Sequence, residues 1–261
     1  MLFQGVDKSA RLDSMTKFFR IFISTGEVSG DLQGSLLMRA LEATALQRGW
    51  ALAIDALGGP RMAAAGAQLL ANTASLGAIG FFESLPYVRR ALSIQQRVRR
   101  YLQSTPPDLT VLIDYPGVNV PLSRDLKQLN SGPVIYYIAP QEWAWSFGKR
   151  TTRQIVDNTD HILSIFPQEA EYYQSHGATV TWVGHPFIDA LSESPSRDAA
   201  RQILGIPPSQ KAIALIPASR QQELRYIWPV LATAAQHIQT HCPETHFWIP
   251  VALETFRTTF Q

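Results

Sequence analysis

The chain has 261 residues and is 46% apolar, which is typical of a folded protein with one large domain or two ordinary ones. Its 23 lysine and arginine residues nearly balance 21 acidic residues, and a net charge of +2 gives no strong overall field for binding nucleic acid. A single cysteine, Cys242, excludes an internal disulfide framework, and no apolar run approaches the roughly 20 residues that span a bilayer.

The first residues are expected to lie outside the fold. Positions 2–5 read L-F-Q-G, which is typical of the remnant left when a protease removes a purification tag. A natural start at Met15 would suit the strand pattern that follows. We therefore treat residues 1–14 as a tag or a disordered extension.

Short apolar runs alternate with helical patterns along the rest of the chain. In the first helical pattern Leu32, Leu36 and Ala40 recur with the helical period, and Ser29 is placed to cap its amino terminus. Alternating β and α units predict an α/β fold with a parallel, doubly wound, Rossmann-like sheet. The predicted strands span residues 19–25, 51–57, 109–114, 133–139, 161–166, 179–183, 212–216 and 246–251.

A proline-rich stretch divides the chain. Residues 192–210 contain three prolines around a short helical run, which is typical of a connection between two lobes. The prediction is an amino-terminal domain over residues 15–191, a linker over 192–210, and the start of a second Rossmann-like domain over 211–261. Two strands and one helix are too few to complete that second sheet, so we expect an incomplete lobe.

Ligands of such sheets bind beyond the carboxyl ends of the strands, so the residues there are the candidate site residues. The first turn, G-E-V-S-G-D at 26–31, lacks the G-x-G-x-x-G spacing of a dinucleotide site. Its two carboxylates would also repel a pyrophosphate. We expect Glu27, Ser29 and Asp31 to bind neutral hydroxyls such as those of a sugar. The alternative is a plain glycine turn in which Asp31 only favours the helix dipole.

Asp114 is the candidate general base. It follows the apolar run 109–113. Pro116 and Asn119, which are typical of the end of a strand, come shortly after it. A carboxylate shielded at this place can accept a proton from an attacking hydroxyl, and we expect Asn119 to lie in the same cleft. The alternative is that Asp114 only caps the following helix or turn.

Two further candidates follow later strands. Gln141, Glu142 and Trp143 come after the strand at 133–139, where an aromatic face and polar side chains suit a sugar or an acyl chain. The alternative is that the tryptophan packs in the core or between lobes. His185, in V-G-H-P, follows a later strand and is typical of a hydrogen-bonded hinge residue.

Ser219 and Arg220 are the candidate anion-binding residues. They end the sequence L-I-P-A-S-R after the strand at 212–216 and precede a helical pattern. Together with the N–H groups of a helix amino terminus, they can hold a phosphorylated donor. The histidines are scattered, and the sequence has no cysteine pair and no H-E-x-x-H motif, so it predicts no metal and no cofactor.

Six motifs, in order, resemble those of the lipid-A-disaccharide synthases. They are G-E-V-S-G-D at 26–31, G-G-P-R-M at 58–62, L-I-D-Y-P-G-V-N at 112–119, A-P-Q-E-W-A-W at 139–145, V-G-H-P at 183–186 and P-A-S-R at 217–220. The resemblance implies a GT-B glycosyltransferase with two Rossmann-like lobes. It implies that the first lobe chiefly binds the acceptor, that the second chiefly binds the nucleotide, and that no metal takes part.

The same resemblance implies a reaction and two roles. A diacylated glucosamine would pass, with inversion, from a UDP donor to a diacylated glucosamine 1-phosphate in lipid A biosynthesis. The partners of the protein would then be a UDP-linked acylated sugar and an acylated sugar phosphate. Asp114 would be the base, and Arg220 would be a ligand of the donor diphosphate.

Two positions depart from the family's motifs. The family usually has an acidic residue where this chain has Gly117, and a glycine where it has Ala218. The carboxy-terminal segment that completes the family's donor site lies beyond residue 261. We therefore expect the 261-residue chain by itself to show little or no transfer activity.

An apolar stretch at residues 76–82 leads into a helical pattern that carries five arginines. Such a stretch suits an anionic lipid surface, although a solvated basic helix with a buried opposite face is the alternative. Together with the family's lipid substrates, this stretch favours a cytoplasmic protein that lies peripherally at the inner face of the cytoplasmic membrane. A homo-oligomer is left open.

Two other functions stay open. The chain can be another GT-B UDP-sugar transferase or epimerase, which product analysis with and without an acyl-bearing acceptor would reveal. It can also be a non-catalytic glycolipid-binding paralogue, a reading that Gly117 and Ala218 favour.

Overall fold

The computed structural model describes residues 17–74, 85–129, 132–145, 149–192, 194–217, 221–251 and 257. The described chain divides into two compact units. The first contains the residues up to Pro186 and the second contains those from Phe187 onward.

The first unit is built on one seven-stranded sheet in which every strand pair is parallel. The strands are β1 (Lys17–Ser24), β2 (Trp50–Gly58), β3 (Gln68–Asn72), β4 (Leu109–Ile113), β5 (Val134–Tyr137), β6 (His161–Ser164) and β7 (Val180–Trp182). Their order in the sheet is β3-β2-β1-β4-β5-β6-β7, so the chain leaves β1 toward one edge and resumes at β4 on the other side. This confirms the predicted doubly wound sheet.

Helices connect these strands. Each of the six crossovers contains one described helix, which leads the chain back to the amino end of the next strand. The helices of this unit are α1 (Val28–Gln47), α2 (Pro60–Ala64), α3 (Leu85–Ser104), α4 (Pro116–Leu129), α5 (Arg150–Asn158) and α6 (Pro167–Ser175).

Apolar side chains are buried on both faces of the sheet. In the central strand β1, Phe22 packs in one hydrophobic cluster, and its neighbours Ile21 and Ile23 pack in the other. Strand β4 shows the same division, with Leu112 on one face and Ile113 on the other. Since helices cover both faces, the strands are continuous apolar runs rather than alternating ones.

All eight predicted strands are present within a few residues of their predicted bounds. The strand Gln68–Asn72 and the short helix Pro60–Ala64 were not predicted. The strand lies at the edge of the sheet, is only partly buried and has no β-branched residue, so its sequence lacks the usual strand signal.

The predicted cap of the first helix is wrong. Helix α1 begins at Val28, and Glu27 occupies the N-cap position without a side-chain hydrogen bond to the helix. Ser29 is exposed within the first turn. The helix therefore starts earlier than its apolar periodicity suggests, and Gly30 in its first turn is buried.

The second unit contains two parallel strands, with Lys211 opposite Thr245 in the register. The long helix α9 (Gln221–His241) is the crossover between them, as a parallel pair requires. Its strands and helices are β8 (Lys211–Ala214), β9 (Thr245–Trp248), α7 (Phe187–Ser192), α8 (Arg197–Ile203) and α9 (Gln221–His241). Among the helices described in either unit, none is long and apolar enough to cross a membrane.

Candidate functional site

The candidate site lies at the carboxyl edge of the seven-stranded sheet. Strands β1 and β4 are neighbours, yet the chain leaves them in opposite directions along the sheet. A crevice opens at such a switch point, and ligands of doubly wound sheets bind there. Glu27 follows β1, and Asp114 and Tyr115 follow β4, so the two loops meet at this point.

Gly26 and Tyr115 are in close contact across the switch point. A Cβ atom added to Gly26 would lie 2.0 Å from Cδ1 of Tyr115, so only glycine leaves room for the ring. Burial raises the pKa of the Tyr115 hydroxyl, and the nearby Glu27 carboxylate adds to the effect. Sequence reasoning did not single out Tyr115. Its position directly after Asp114, in the L-I-D-Y-P motif, was the only signal in the sequence.

The backbone at the ends of β4 and β5 is strained. Asp114, Tyr115 and Ile138 have φ values of 46°, 48° and 57°. Aspartate tolerates this left-handed region, but it is a genuine outlier for a β-branched residue such as Ile138. The Asp114 N–H donates to the Ile138 carbonyl over 3.0 Å, so the strained loops support each other. Strain of this kind clusters at functional sites.

Asn119 fixes the backbone around Asp114. Its side chain is fully buried, and its Nδ2 donates to the carbonyl oxygens of Asp114, Ile113 and Ser24 at 2.8, 3.0 and 3.2 Å. Its Oδ1 accepts from the Ser24 hydroxyl at 2.7 Å. Asn119 therefore joins the ends of β1 and β4 and is a positioning residue rather than an open ligand contact.

Tyr136 holds Asp114 from a second side. Its hydroxyl donates to the Asp114 carbonyl over 2.9 Å. Burial raises the pKa of Tyr136 well above its usual range, so the hydroxyl remains a donor at any ordinary pH. The Asp114 side chain itself is half-buried. A carboxylate on a backbone held in this way can receive a proton with little reorganisation.

Asp31 has a structural role, contrary to the expectation that it contacts a sugar. The residue is 2% exposed, and its carboxylate accepts from the backbone N–H groups of Gly59, Met62 and Arg61 at 2.8, 3.0 and 3.1 Å. These groups form the amino terminus of α2. Asp31 therefore caps α2 from a neighbouring helix, and both carboxylate oxygens are engaged.

Glu169 is a buried carboxylate that sequence reasoning missed. Its oxygens accept from the N–H groups of Ala139, Ile165 and Phe166 at 3.0, 2.9 and 3.3 Å, which joins the loops after β5 and β6. Burial raises the pKa of this carboxyl, although the three N–H donors oppose the change. A glutamate in the first turn of α6 was the signal in the sequence.

Trp143 and His185 belong to an aromatic cluster centred on Phe166. The ring centroids of Trp143 and His185 lie 6.1 and 5.6 Å from that of Phe166, so the loops after β5, β6 and β7 meet there. Trp143 is half-buried, so part of its ring packs in this cluster and part remains exposed. Gln141 is exposed and Glu142 is half-buried beside it.

Several predicted features lie outside the described residues. They are Ser219, Arg220, the apolar stretch at residues 76–82, and the side chains of Arg89 and Arg90 in the basic helix. Within the described part of the chain, no group of three histidine, cysteine, aspartate or glutamate side chains could hold a metal ion.

Comparison with known proteins gives a consistent result along the chain. A family model described as lipid-A-disaccharide synthetase matches residues 21–261. The lipid-A-disaccharide synthase of Prochlorococcus marinus is 53% identical over 93% of the chain, and that of Gloeothece citriformis is 50% identical over 92%. The matches cover 62% and 63% of those proteins, so the chain spans about three fifths of their length.

Solved structures share the fold at low sequence identity. The complex of S. aureus MnaA with UDP superposes with a TM-score of 0.66 at 12% identity, covering 93% of this chain and 65% of the other. A UDP-GlcNAc 2-epimerase from Neisseria meningitidis bound to UDP-GlcNAc gives 0.58 at 11% identity, covering 92% and 67%. These likenesses support the predicted α/β, Rossmann-like fold.

Proposed function

The chain belongs to the lipid-A-disaccharide synthetase family, and from this we propose that the whole protein is an inverting glycosyltransferase of lipid A biosynthesis. Its donor is UDP-2,3-diacylglucosamine and its acceptor is 2,3-diacylglucosamine 1-phosphate. The products are lipid A disaccharide 1-phosphate and UDP. Since the chain spans about three fifths of its relatives, this activity is proposed for the full-length protein.

The observation that carries the proposal is the position of Asp114. It stands at the switch point of the sheet, and Asn119 and Tyr136 hold its backbone. In the proposed reaction an acceptor hydroxyl attacks the anomeric carbon of the donor. The new C–O bond forms as the bond to the diphosphate breaks, UDP leaves with the electron pair, and Asp114 takes the hydroxyl proton.

We assign the donor diphosphate to Ser219 and Arg220. They directly precede α9, which begins at Gln221 and follows strand β8. A helix amino terminus after a parallel strand favours an anion, and an arginine there can form charge-assisted hydrogen bonds to a diphosphate. The negative charge that develops on UDP would be stabilised at this place.

The remaining candidate residues are proposed to contact the acceptor. Glu27 lies at the switch point, and Gln141, Glu142, Trp143 and His185 follow the neighbouring strands at the same edge. We also propose that the protein acts in the cytoplasm at the inner face of the membrane that supplies its lipid substrates.

The proposed base is tested by Asp114→Asn in a full-length form, in which the chain continues to the length of its relatives. The amide keeps the shape of the side chain but cannot take the proton, so kcat should fall about 10²- to 10⁴-fold. Asp108→Asn is the matched control, because Asp108 is exposed at the opposite end of the same strand. Turnover of the Asp114→Asn enzyme equal to that of the control would refute the assignment.

A further inference from the structure

A groove lies between α4 and α5, and its lining begins at Pro116, two residues after the proposed base in the chain. Both helices follow parallel strands, so both begin at the carboxyl edge of the sheet and run side by side. The groove has a volume of about 340 Å³. We call the end formed by Pro116 and Gly117, at the carboxyl edge of the sheet, its upper end. Its walls are formed by Pro116, Gly117, Val120, Pro121, Arg124, Thr151, Gln154 and Asn158.

The upper wall of the groove offers a hydrogen-bond acceptor. Pro121 lies inside α4 and has no N–H, so the Gly117 carbonyl lacks its regular helical donor. Gly117 also has no side chain, and a Cβ atom added there would meet no other atom within 4 Å. The open space beside Gly117 leaves room for a ligand at this end of the groove.

Arg124 supplies a positive charge lower in the groove. It is exposed and is the charged member of the groove wall as described. Within the part of the chain that the structure describes, its guanidinium has no hydrogen-bond or ion-pair partner. Long side chains on a helix point back toward its amino terminus, which directs Arg124 toward the end where Asp114 lies.

The acidic residues nearest to Arg124 along the two helices are already paired. Asp125 lies 3.5 Å from Arg99, and Asp157 lies 3.9 Å from Arg153. The opposite wall of the groove carries the neutral polar side chains of Thr151 and Gln154. The groove thus combines an acceptor near the base, neutral polar groups, and a cation further along.

We propose that this groove binds the phosphate-bearing sugar, with Arg124 as the residue that recognises its phosphate. The inference rests on the proposed function and names the part of the acceptor that reaches this surface. Gly117 and Arg124 are separated by seven residues, or about 10 Å along the helix axis, and the length of the arginine shortens this gap. A hexose can then place a hydroxyl at Asp114 and its phosphate at Arg124.

The test is a binding titration of the full-length protein without donor. The probes are short-chain 2,3-diacylglucosamine 1-phosphate and the same sugar without its phosphate. Arg124→Ala should raise the Kd for the phosphorylated sugar about 10- to 100-fold, because a charge-assisted contact is lost, and should leave the Kd for the other sugar within about twofold. Arg124→Lys should restore part of the affinity. Arg39→Ala, at an exposed arginine on α1, is the control.

A second variant tests the groove from its opposite wall. Gln154→Glu places a carboxylate across the groove from Arg124, in a side chain of nearly the same size. The variant should fold and should bind the phosphorylated sugar more weakly than wild type, with little change for the other sugar, because the new charge repels the phosphate. Equal affinity of wild type, Arg124→Ala and Gln154→Glu for the phosphorylated sugar would overturn the groove assignment alone. A wild-type protein that binds neither sugar would instead contradict the proposed acceptor function.

Discussion

The buried amide of Asn119 donates hydrogen bonds to the carbonyl oxygens of both Asp114 and Ser24, which are 5 and 95 residues away in the chain. One side chain thereby fixes the carboxyl ends of two neighbouring strands. The direction of the Asp114 side chain depends on this contact, because the residue is held at a φ value of 46°.

Asn119→Ala should therefore reduce both stability and turnover. The substitution removes the amide donor from three carbonyl oxygens, of which that of Asp114 keeps the Tyr136 hydroxyl, and it removes the acceptor of the buried Ser24 hydroxyl. These losses should cost about 1 to 3 kcal/mol of unfolding free energy. The substitution should also lower kcat at temperatures where the variant is fully folded, since Asp114 is less well positioned. Urea denaturation and steady-state kinetics of the full-length form measure the two effects separately.

Ser123→Ala is the matched control for this variant. Ser123 is buried on the same helix, and its hydroxyl bonds locally to the Val120 carbonyl. It should lower stability slightly and leave kcat unchanged. If Asn119→Ala changed stability only, with kcat equal to that of the control, Asn119 would hold the fold together without positioning the base.

Two glycines near the site should respond oppositely to alanine. In Gly26→Ala the new methyl group would lie 2.0 Å from the Tyr115 ring, which must move, at a cost of about 1 to 3 kcal/mol. Gly117→Ala adds a methyl group to α4 with no atom within 4 Å, so it should be neutral or stabilise the protein by up to about 1 kcal/mol. Melting temperatures should differ by several degrees between the two variants. Equal melting temperatures would mean that Tyr115 does not pack on Gly26.

The sequence was informative where a local pattern decides the structure. Apolar runs predicted the eight strands, and the end of the run at Ile113 placed Asp114 at the sheet edge. Contacts between distant residues could not be predicted in this way. Asp31 bonds to residues 28 to 31 positions away, and Glu169 bonds to Ala139, 30 positions away. A carboxylate near a glycine turn has the same local pattern whether it caps another helix or faces a ligand.

Asp31→Asn distinguishes these two roles. The amide keeps one oxygen as an acceptor but turns an NH₂ group toward one of the α2 N–H donors, so stability should fall by about 1 to 2 kcal/mol. The Kd for the acceptor sugar should stay within about twofold of wild type. Glu42→Gln, at an exposed acid of the same helix, should change neither quantity. A tenfold rise in Kd without loss of stability would support direct ligand contact by Asp31.

Glu169 should make the stability of the first unit depend on pH. Burial raises the pKa of its carboxyl above the ordinary value of 4.5, so the folded protein binds this proton more tightly than the unfolded chain does. The stability that the group contributes is therefore fully present below pH 4.5 and is lost as pH rises through the folded pKa. Within that window the unfolding free energy should fall by at most about 1.4 kcal/mol per pH unit.

Glu169→Gln removes this titration, so the difference in unfolding free energy between wild type and variant isolates its contribution. The variant should be less stable overall, because its NH₂ group meets backbone N–H donors in place of a carboxylate oxygen. Urea denaturation from about pH 4 to about pH 8 should show the wild-type advantage shrinking as pH rises. A wild-type advantage that grew with pH would mean that the three N–H donors outweigh burial and lower the pKa of Glu169 instead.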